Sequence, residues 1–577
     1  MSYLNKKRNE SLAEKKIYDS AHKNFMGGTS FDINNPLLRL SVVAASCFFG
    51  EPQYYKSDRK DKRKRSDVGL RRSGISDKAR EYLRDTLNAI DDYEWRNLTP
   101  VKTIEKCIDE ALRYNAEETL KIACDLRNID NMRVTPQAIL IRAANHPKVK
   151  GTGLIRKYAK HIIKRGDEPA TGLSYQLAAY GKPIPNSLKR SWSDFLKNAN
   201  EYTLSKYRME NRDVKTVDVI RLAGAFGDNT LKLLDDKLKL NDDGRETWES
   251  MRSAGRPWKD CIDVMGHMAL LRNIRNFIEN KVHHKYWLDK LVGTAADGRQ
   301  IPFRYYSAYR IVEHIASSVI LDGLEECLTR SMGNLPRIEG RNLILVDNSG
   351  SAQSGHLSVY GTSTVSHIGN LMGVITGMVS DEGIVGVFGD RLKMIPIRKK
   401  SSIFDQLKTV EEVGSEIGGA TENGIWLAFS DAIKNKVHWD NIFVYSDMQA
   451  GHGGLYGLDP SDYNNYRWLR STSNYIDVPK LVKEYRNKVN RNVNVFLCQI
   501  AGYEDSLLPE NYERTFILGG WSEGIIQFAA KVNDIFNNTS SGNSYPDRNK
   551  PVVKQEKTKR RKKIYFQIET ETFGNTQ

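Results

Sequence analysis

Between residues 342 and 520 the chain carries five short aliphatic runs: NLILVDNS from Asn342, EGIVGVFGD from Glu382, NIFVYSDM from Asn441, VNVFLCQI from Val493 and RTFILGG from Arg514. None alternates polar with apolar residues, so each reads as a strand buried on both faces. Helical segments at 422 to 436 and 477 to 490 lie between them. Strands of this kind joined by helical crossovers make an α/β domain with a mainly parallel sheet.

Upstream, from 36 to 338, the apolar spacing is helical. In IRKYAKHIIKR, Ile155, Tyr158, Ala159, Ile162 and Ile163 fall on one buried stripe, and Arg156, Lys157, Lys160, Lys164 and Arg165 occupy the other face. A solvated helix face usually mixes signs, so this one reads as a surface for a polyanion. Many such helices, joined by turns such as NHPKVKGTG and YGKPIPN, make a helical-repeat array without a fixed sequence period. Residues 1–35 read as a polar flexible arm, 56–72 as a mobile loop with nine basic and three acidic residues, 339–535 as the α/β domain, and 536–577 as a basic disordered tail.

At 577 residues the chain is too long for one core. Its 87 Lys and Arg against 71 Asp and Glu give a formal charge of +16, which favours nucleic acid or an acidic membrane surface as partner. The start of the chain has no apolar secretory core, and no apolar run approaches the ~20 residues of a membrane span. Six scattered cysteines (47, 107, 124, 261, 327 and 498) without C-x-x-C spacing read as reduced core residues. The expectation is a cytoplasmic protein that does not use a membrane.

Ligands in an open α/β sheet bind at the carboxyl ends of the strands. There stand Asp347, Ser349 and Ser351 of DNSGS, Thr421 of GGATENG ahead of a helix, and Asp447 after the third run. Hydroxyls with few charges suit Mg²⁺ or Mn²⁺, whereas Zn²⁺ would want His or Cys. D-x-S-x-S followed by Thr and Asp resembles the metal-ion-dependent adhesion site of von Willebrand factor A domains. There the hydroxyls hold the ion directly or through water, the aspartates mostly through water, and a partner's carboxylate takes an open position. GGAT sets the glycines one residue further from the threonine than the usual GGT. AGHGGLYG lacks the Lys-Ser/Thr of a phosphate loop.

The segments NPLLRLSVVAASCFFGEPQYY (35–55), MALLRNIRNFIEN (268–280) and IPFRYYSAYRI (301–311), followed by such a domain, resemble the TROVE-domain proteins, the Ro autoantigen and its bacterial relatives. The resemblance spans about 36 to 530. It implies a ring of HEAT-like helical repeats closed by the A domain, in a bacterial or phage protein acting as a monomer. Such rings bind Y-like small non-coding RNA outside, take single-stranded 3′ ends of misfolded RNA through a basic hole, and work with exoribonucleases such as polynucleotide phosphorylase in RNA quality control. Carried over by position, the outer contacts are Lys189, Arg190, Lys206, Arg208, Lys215 and Arg221, and the hole is lined by Arg272, Arg275 and Arg304. Thr216 stands where relatives often carry a histidine. Trp192, Tyr305 and Tyr306 read as repeat core, and His283 and His284 lack a third ligand at metal spacing.

Two other classes stay open. One is an Mg²⁺-dependent protein-adhesion scaffold, with the solenoid as a second protein-binding surface. The other is a nuclease, against which stand the scarcity of carboxylates and the lack of a neighbouring general base. The expectation is a protein without catalytic residues.

Overall fold

The computed structural model describes residues 21–23, 29–46, 100–210, 212–238, 247–298, 300, 302–333, 335–354, 363–389, 391–418, 422–448, 478–502, 504–510 and 512–540. The chain opens with strands β1 (Ala21–Lys23) and β2 (Thr29–Asp32). Helices α1 (Pro36–Ser46), α2 (Pro100–Tyr114), α3 (Ala116–Asn128), α4 (Val134–Asn145), α5 (Leu154–Ile162), α6 (Glu168–Ala179), α7 (Asn186–Lys197), α8 (Glu201–Lys206), α9 (Thr216–Ala223) and α10 (Asp228–Leu234) form a first lobe around one core. Helices α11 (Trp248–Ser253), α12 (Trp258–Ile262), α13 (His267–Glu279), α14 (Leu288–Gly293), α15 (Pro302–Val312) and α16 (Ser318–Met332) form a second. The second lobe has no core of its own. Its apolar side chains run without a break into those beneath one face of the sheet that follows.

That sheet comprises β3 (Ile338–Asp347), β4 (Ser380–Phe388), β5 (Leu392–Pro396), β6 (Asn441–Ser446), β7 (Asn494–Gln499) and β9 (Thr515–Gly519), in the order β5-β4-β3-β6-β7-β9. The five runs legible in the sequence are the parallel strands, and β5, which the sequence reading lacked, is an antiparallel edge. Helices α17 (Gly350–Ser354), α18 (Val365–Val379), α19 (Ile403–Glu416), α20 (Glu422–Lys434), α21 (Val478–Lys488) and α22 (Gly524–Ser540) complete the domain. Phe443 and Phe496 face the α18 side while Val444 and Leu497 face α20 and α21, which is why no run alternates.

The expected flexible arm is corrected over part of its length. β2 pairs with β1 and with β8 (Asp505–Ser506) of the α/β domain, and Phe31 and Ile33 are buried. Residues 1–20, the loop 56–72 and the tail beyond Ser540 lie outside the described residues. Helix α22 continues five residues past the expected start of that tail.

Both ends of the helical array dock on the α/β domain. At the first seam α1 lies against the end of β9, where a Cβ on Gly519 would stand 2.1 Å from the Val42 carbonyl oxygen. Only glycine admits a backbone that close. Arg39 pairs with Glu110 (2.5 Å) and approaches Glu504 (3.8 Å), and Ser522 donates to Asp130. At the second seam Glu325 caps α19, accepting from Ser402 Oγ (2.9 Å) and Ile403 N (2.5 Å). There Tyr306 donates to Glu411, Arg310 reaches the same carboxylate (3.3 Å), and Tyr309 stacks on Phe404. The array therefore closes on itself through the domain.

The first seam carries a cost that pH reveals. Burial pushes the Asp130 carboxyl up to about 6, against the opposing bond from Ser522. The folded chain then holds this proton to higher pH than the unfolded one, whose carboxyl titrates near 4. Stability falls as pH rises from about 4 to about 6 and is level above. Asp130→Asn keeps an acceptor for Ser522 and removes the decline. It is expected to stabilise the protein at neutral pH by roughly 1–2 kcal/mol, read by urea unfolding across that range.

Candidate metal centre and nucleic-acid interface

The strand order reverses between β3 and β6, and a crevice at such a switch point lies outside the strand carboxyl ends. Register pairs Val346 with Tyr445, so Asp347 ends β3 beside Ser446 and Asp447. Asp347 is fully buried; its Oδ2 accepts from Ser446 Oγ (2.6 Å) and its Oδ1 from Ser349 N (2.9 Å), and the Asp447 peptide N–H donates to it too. Ser349 Oγ lies 3.1 Å from Ser351 Oγ, which donates to Asp447 Oδ2 (3.0 Å). The two serines and two aspartates of the motif thus form one continuous oxygen chain, with Ser351 exposed at its mouth.

The loop is held from behind. Asn348 exchanges amide bonds with Asn370 (2.8 and 2.9 Å), and Gln353 donates to the carbonyls of Asn348 (2.6 Å) and Gly414 (2.7 Å). Burial pushes the Asp347 carboxyl up, against the hydrogen bonds from Ser446, Ser349 and Asp447, and it makes no ion pair among the described residues. Burying a carboxylate without a countercharge is costly, and a hard divalent ion held by Asp347, Ser349, Ser351 and Asp447 would offset that cost. The donors present fit such an ion. Thr421 lies outside the described residues, directly ahead of α20. Ser446 was missed in the sequence, where a hydroxyl inside a strand has no motif to mark it. Among the described residues no three His, Cys, Asp or Glu side chains cluster at metal spacing.

The second constellation lies within the array. Arg304 on α15 is lowered in pKa by burial and then by the positive charge of Arg272 on α13. Arg133, at the start of α4, is lowered by burial and then by Arg165, against Asp167 and Glu168, which raise it, with a smaller lowering from Arg304. Arg165 is matched by Asp167 (3.0 Å). Among the described residues neither Arg272 nor Arg304 has a carboxylate partner. The Arg304 guanidinium therefore feels a like charge that no carboxylate partner offsets among the described residues, an arrangement that an anion would relieve. Arg272 and Arg275 are both exposed, but Arg275 pairs with Glu279 one turn on (2.7 Å). Arg133 was missed because nothing local marks it.

Of the residues assigned by resemblance to the outer contacts, Lys189 is half-buried, and Arg190, Lys215 and Arg221 are exposed. Lys206 lies over the rings of Tyr202 and Tyr207. Arg208 is partly buried and bonded to the exposed Asp236 (3.1 Å) and to the Leu238 carbonyl (3.2 Å), so part of its charge is met by a surface carboxylate. Thr216 is buried and donates to the Tyr207 carbonyl, which removes it from any outer contact. The single-sign face of α5 is corrected as well. Arg156 pairs with Asp194 (2.6 Å) and Lys157 with Glu117 (2.6 Å), carboxylates that neighbouring helices supply. Trp192, Tyr305 and Tyr306 are buried, and His283 stacks on His284 at the surface. Cys107, Cys124, Cys261, Cys327 and Cys498 are free thiols, and Cys47 lies outside the described residues.

No protein-family model and no curated protein matches the chain. Its fold is similar to the crystal structure of the Ro (Rsr) protein of Deinococcus radiodurans, with a TM-score of 0.51 and 14% identity over 74% of this chain and 93% of that one. The fold is Ro-like. At that identity the likeness speaks for architecture, a helical array joined to an α/β domain, and the side-chain chemistry must be argued from this chain. No helix among the described residues is long and apolar enough to cross a membrane.

Proposed function

We propose that this protein is an RNA-binding ring. The observation that carries the reading is the Arg272–Arg304 pair, whose mutual repulsion and lack of a carboxylate partner suit a phosphate backbone. A ring wide enough for one strand excludes duplexes and so selects single-stranded ends, such as the 3′ ends of misfolded RNA. Lys189, Arg190, Lys206, Lys215 and Arg221 form the outer face, which would hold a folded Y-like RNA by shape and phosphate contacts. The proposed role is RNA quality control in the cytoplasm, as a monomeric scaffold beside an exoribonuclease of the polynucleotide phosphorylase kind.

In this reading Asp347, Ser349, Ser351 and Asp447, with Thr421, hold Mg²⁺ or Mn²⁺. When bound, the ion supplies an open position for a partner's carboxylate. Asp347 and Asp447 orient the serine hydroxyls, and the Asn348–Asn370 lock keeps the loop in place. One ion among hydroxyls does not make the two-ion carboxylate cluster of a nuclease, and the protein is proposed not to cleave RNA. Incubation with single-stranded and structured RNA in Mg²⁺ is expected to leave both at full length.

The test of RNA binding is a salt titration together with sequencing of the RNA that co-purifies. The logarithm of the binding constant is expected to fall with the logarithm of salt at a slope of several, about 0.7 for each phosphate contacted on a single strand. A flat response would remove the reading. The exposed Ser351 beside buried Asp347 favours a second one, in which recruitment of an acidic protein partner at the switch point is the main activity. That reading expects partner binding to vanish in chelator while RNA has no effect.

A further inference from the structure

Strand β5 pairs with β4 alone, so its other side is a free edge of the sheet. Which of its backbone groups face outward follows from the ladder. Ile397 N donates to the Gly383 carbonyl (2.9 Å) and the Arg391 carbonyl accepts from Gly389 N (3.1 Å), so the odd-numbered residues turn their backbone groups to β4. The N–H and C=O groups of Leu392 and Met394 and the carbonyl of Pro396 therefore point away from the sheet, about 7 Å apart along the strand. Among the described residues no group of another element bonds to them.

The same edge is charged with one sign. From 390 to 400 the chain reads DRLKMIPIRKK, five cations against one carboxylate. Arg391, Lys393, Arg398, Lys399 and Lys400 are exposed, and among the described residues none has a carboxylate partner. Lys399 comes near Asp381, but that carboxylate is taken by Arg337. The turn that carries three of the cations is held in place: Gln406 on α19 accepts from Arg398 N (2.6 Å) and donates to the Arg398 carbonyl (3.1 Å), and Ile397 beside it is buried. Lysine and proline on an edge strand guard it against a second copy, because like charges would meet. A guard of one sign still admits an acidic strand.

We infer that β5 and the turn after it dock an extended acidic segment of a partner protein, which adds to the sheet as a seventh strand. Main-chain bonds to Leu392, Met394 and Pro396 supply the pairing, and the cations choose an acidic partner. RNA suits this face less. Residues 391–400 offer no aromatic ring for a base to stack on, and donors and acceptors at every second residue match a peptide backbone. Strand β4 separates this edge from Asp347 on β3, and the docking needs neither the ion nor RNA.

The test is fluorescence anisotropy of the full chain with a labelled peptide in which glutamate alternates with valine. The controls are the same peptide with lysine for glutamate and the same peptide with every backbone nitrogen methylated. The glutamate peptide is expected to saturate one site at least about tenfold more tightly than either control. Lys393→Glu together with Arg398→Glu, both at exposed positions, should weaken it about tenfold with unchanged thermal unfolding. Met394→Pro removes an outward N–H, spares the bonds to β4 and leaves the charge alone, and it should weaken binding as well. Binding is expected to persist in chelator and in Arg272→Glu, so it fails separately from the metal and RNA readings. A photo-reactive residue at position 394 is expected to crosslink the peptide. Crosslinking instead to the chain's own residues beyond Ser540 or to a second copy would overturn the inference. So would equal binding of the methylated peptide, oligouridylate binding that Lys393→Glu abolishes, or no saturable peptide binding at all.

Discussion

Reversing Arg272 and Arg304 to glutamate is expected to lower the affinity for single-stranded RNA by about 100-fold, because two charge-assisted contacts at about 1.5 kcal/mol each are lost. The slope of the logarithm of the binding constant against the logarithm of salt should fall by about 1.4, the share of two phosphates on a single strand. Folded Y-like RNA, held on the outer face, should lose far less. The same reversal at Arg275 is expected to do little, since Glu279 already neutralises it. Filter binding of a single-stranded oligonucleotide and of a structured RNA across a salt series reads all of these. Equal loss for both RNAs would place the strand path elsewhere.

The second large effect is on stability. At a concentration of Mg²⁺ about 100 times its dissociation constant, the ion is expected to stabilise the fold by about 2.7 kcal/mol. The gain should be visible as a rise in thermal midpoint on adding Mg²⁺ or Mn²⁺ and its reversal in chelator. Asp347→Asn removes a buried carboxylate that has no ion-pair partner among the described residues, so it should raise the midpoint in chelator and erase the response to the ion. Ser351→Ala, at the exposed mouth, should leave the midpoint in chelator unchanged and weaken the response. A stability indifferent to divalent ions in the unsubstituted protein would leave the oxygen chain as a purely structural network.

Much of the α/β domain was legible because its signals are local. Runs such as NIFVYS carry their two-sided burial in consecutive residues, and DNSGS carries its hydroxyl spacing in one loop. Edge strand β5 escaped because LKMIP is only partly buried and has no apolar run to mark it. Ser446 escaped for a different reason: the pairing of β3 with β6 sets it beside Asp347, ninety-nine positions away. The strands at 21–32 were hidden in polar sequence, since their order comes from pairing with Asp505 and Ser506.

Residue periodicity alone determined the helical array, the five parallel strands and their order, because helix and strand burial are written within a few consecutive positions. It also marked the strand end at which Asp347, Ser349, Ser351 and Asp447 gather. Only the tertiary structure decided which charges remain to meet a ligand. Arg156 and Lys157 are answered by Asp194 and Glu117 from other helices, 38 and 40 positions away, whereas Arg272 and Arg304 are set against each other without a carboxylate among the described residues. Closure of the array was likewise a tertiary outcome, since both seams join side chains that no local pattern connects. Charge is counted along the chain, but its neutralisation depends on distance in space.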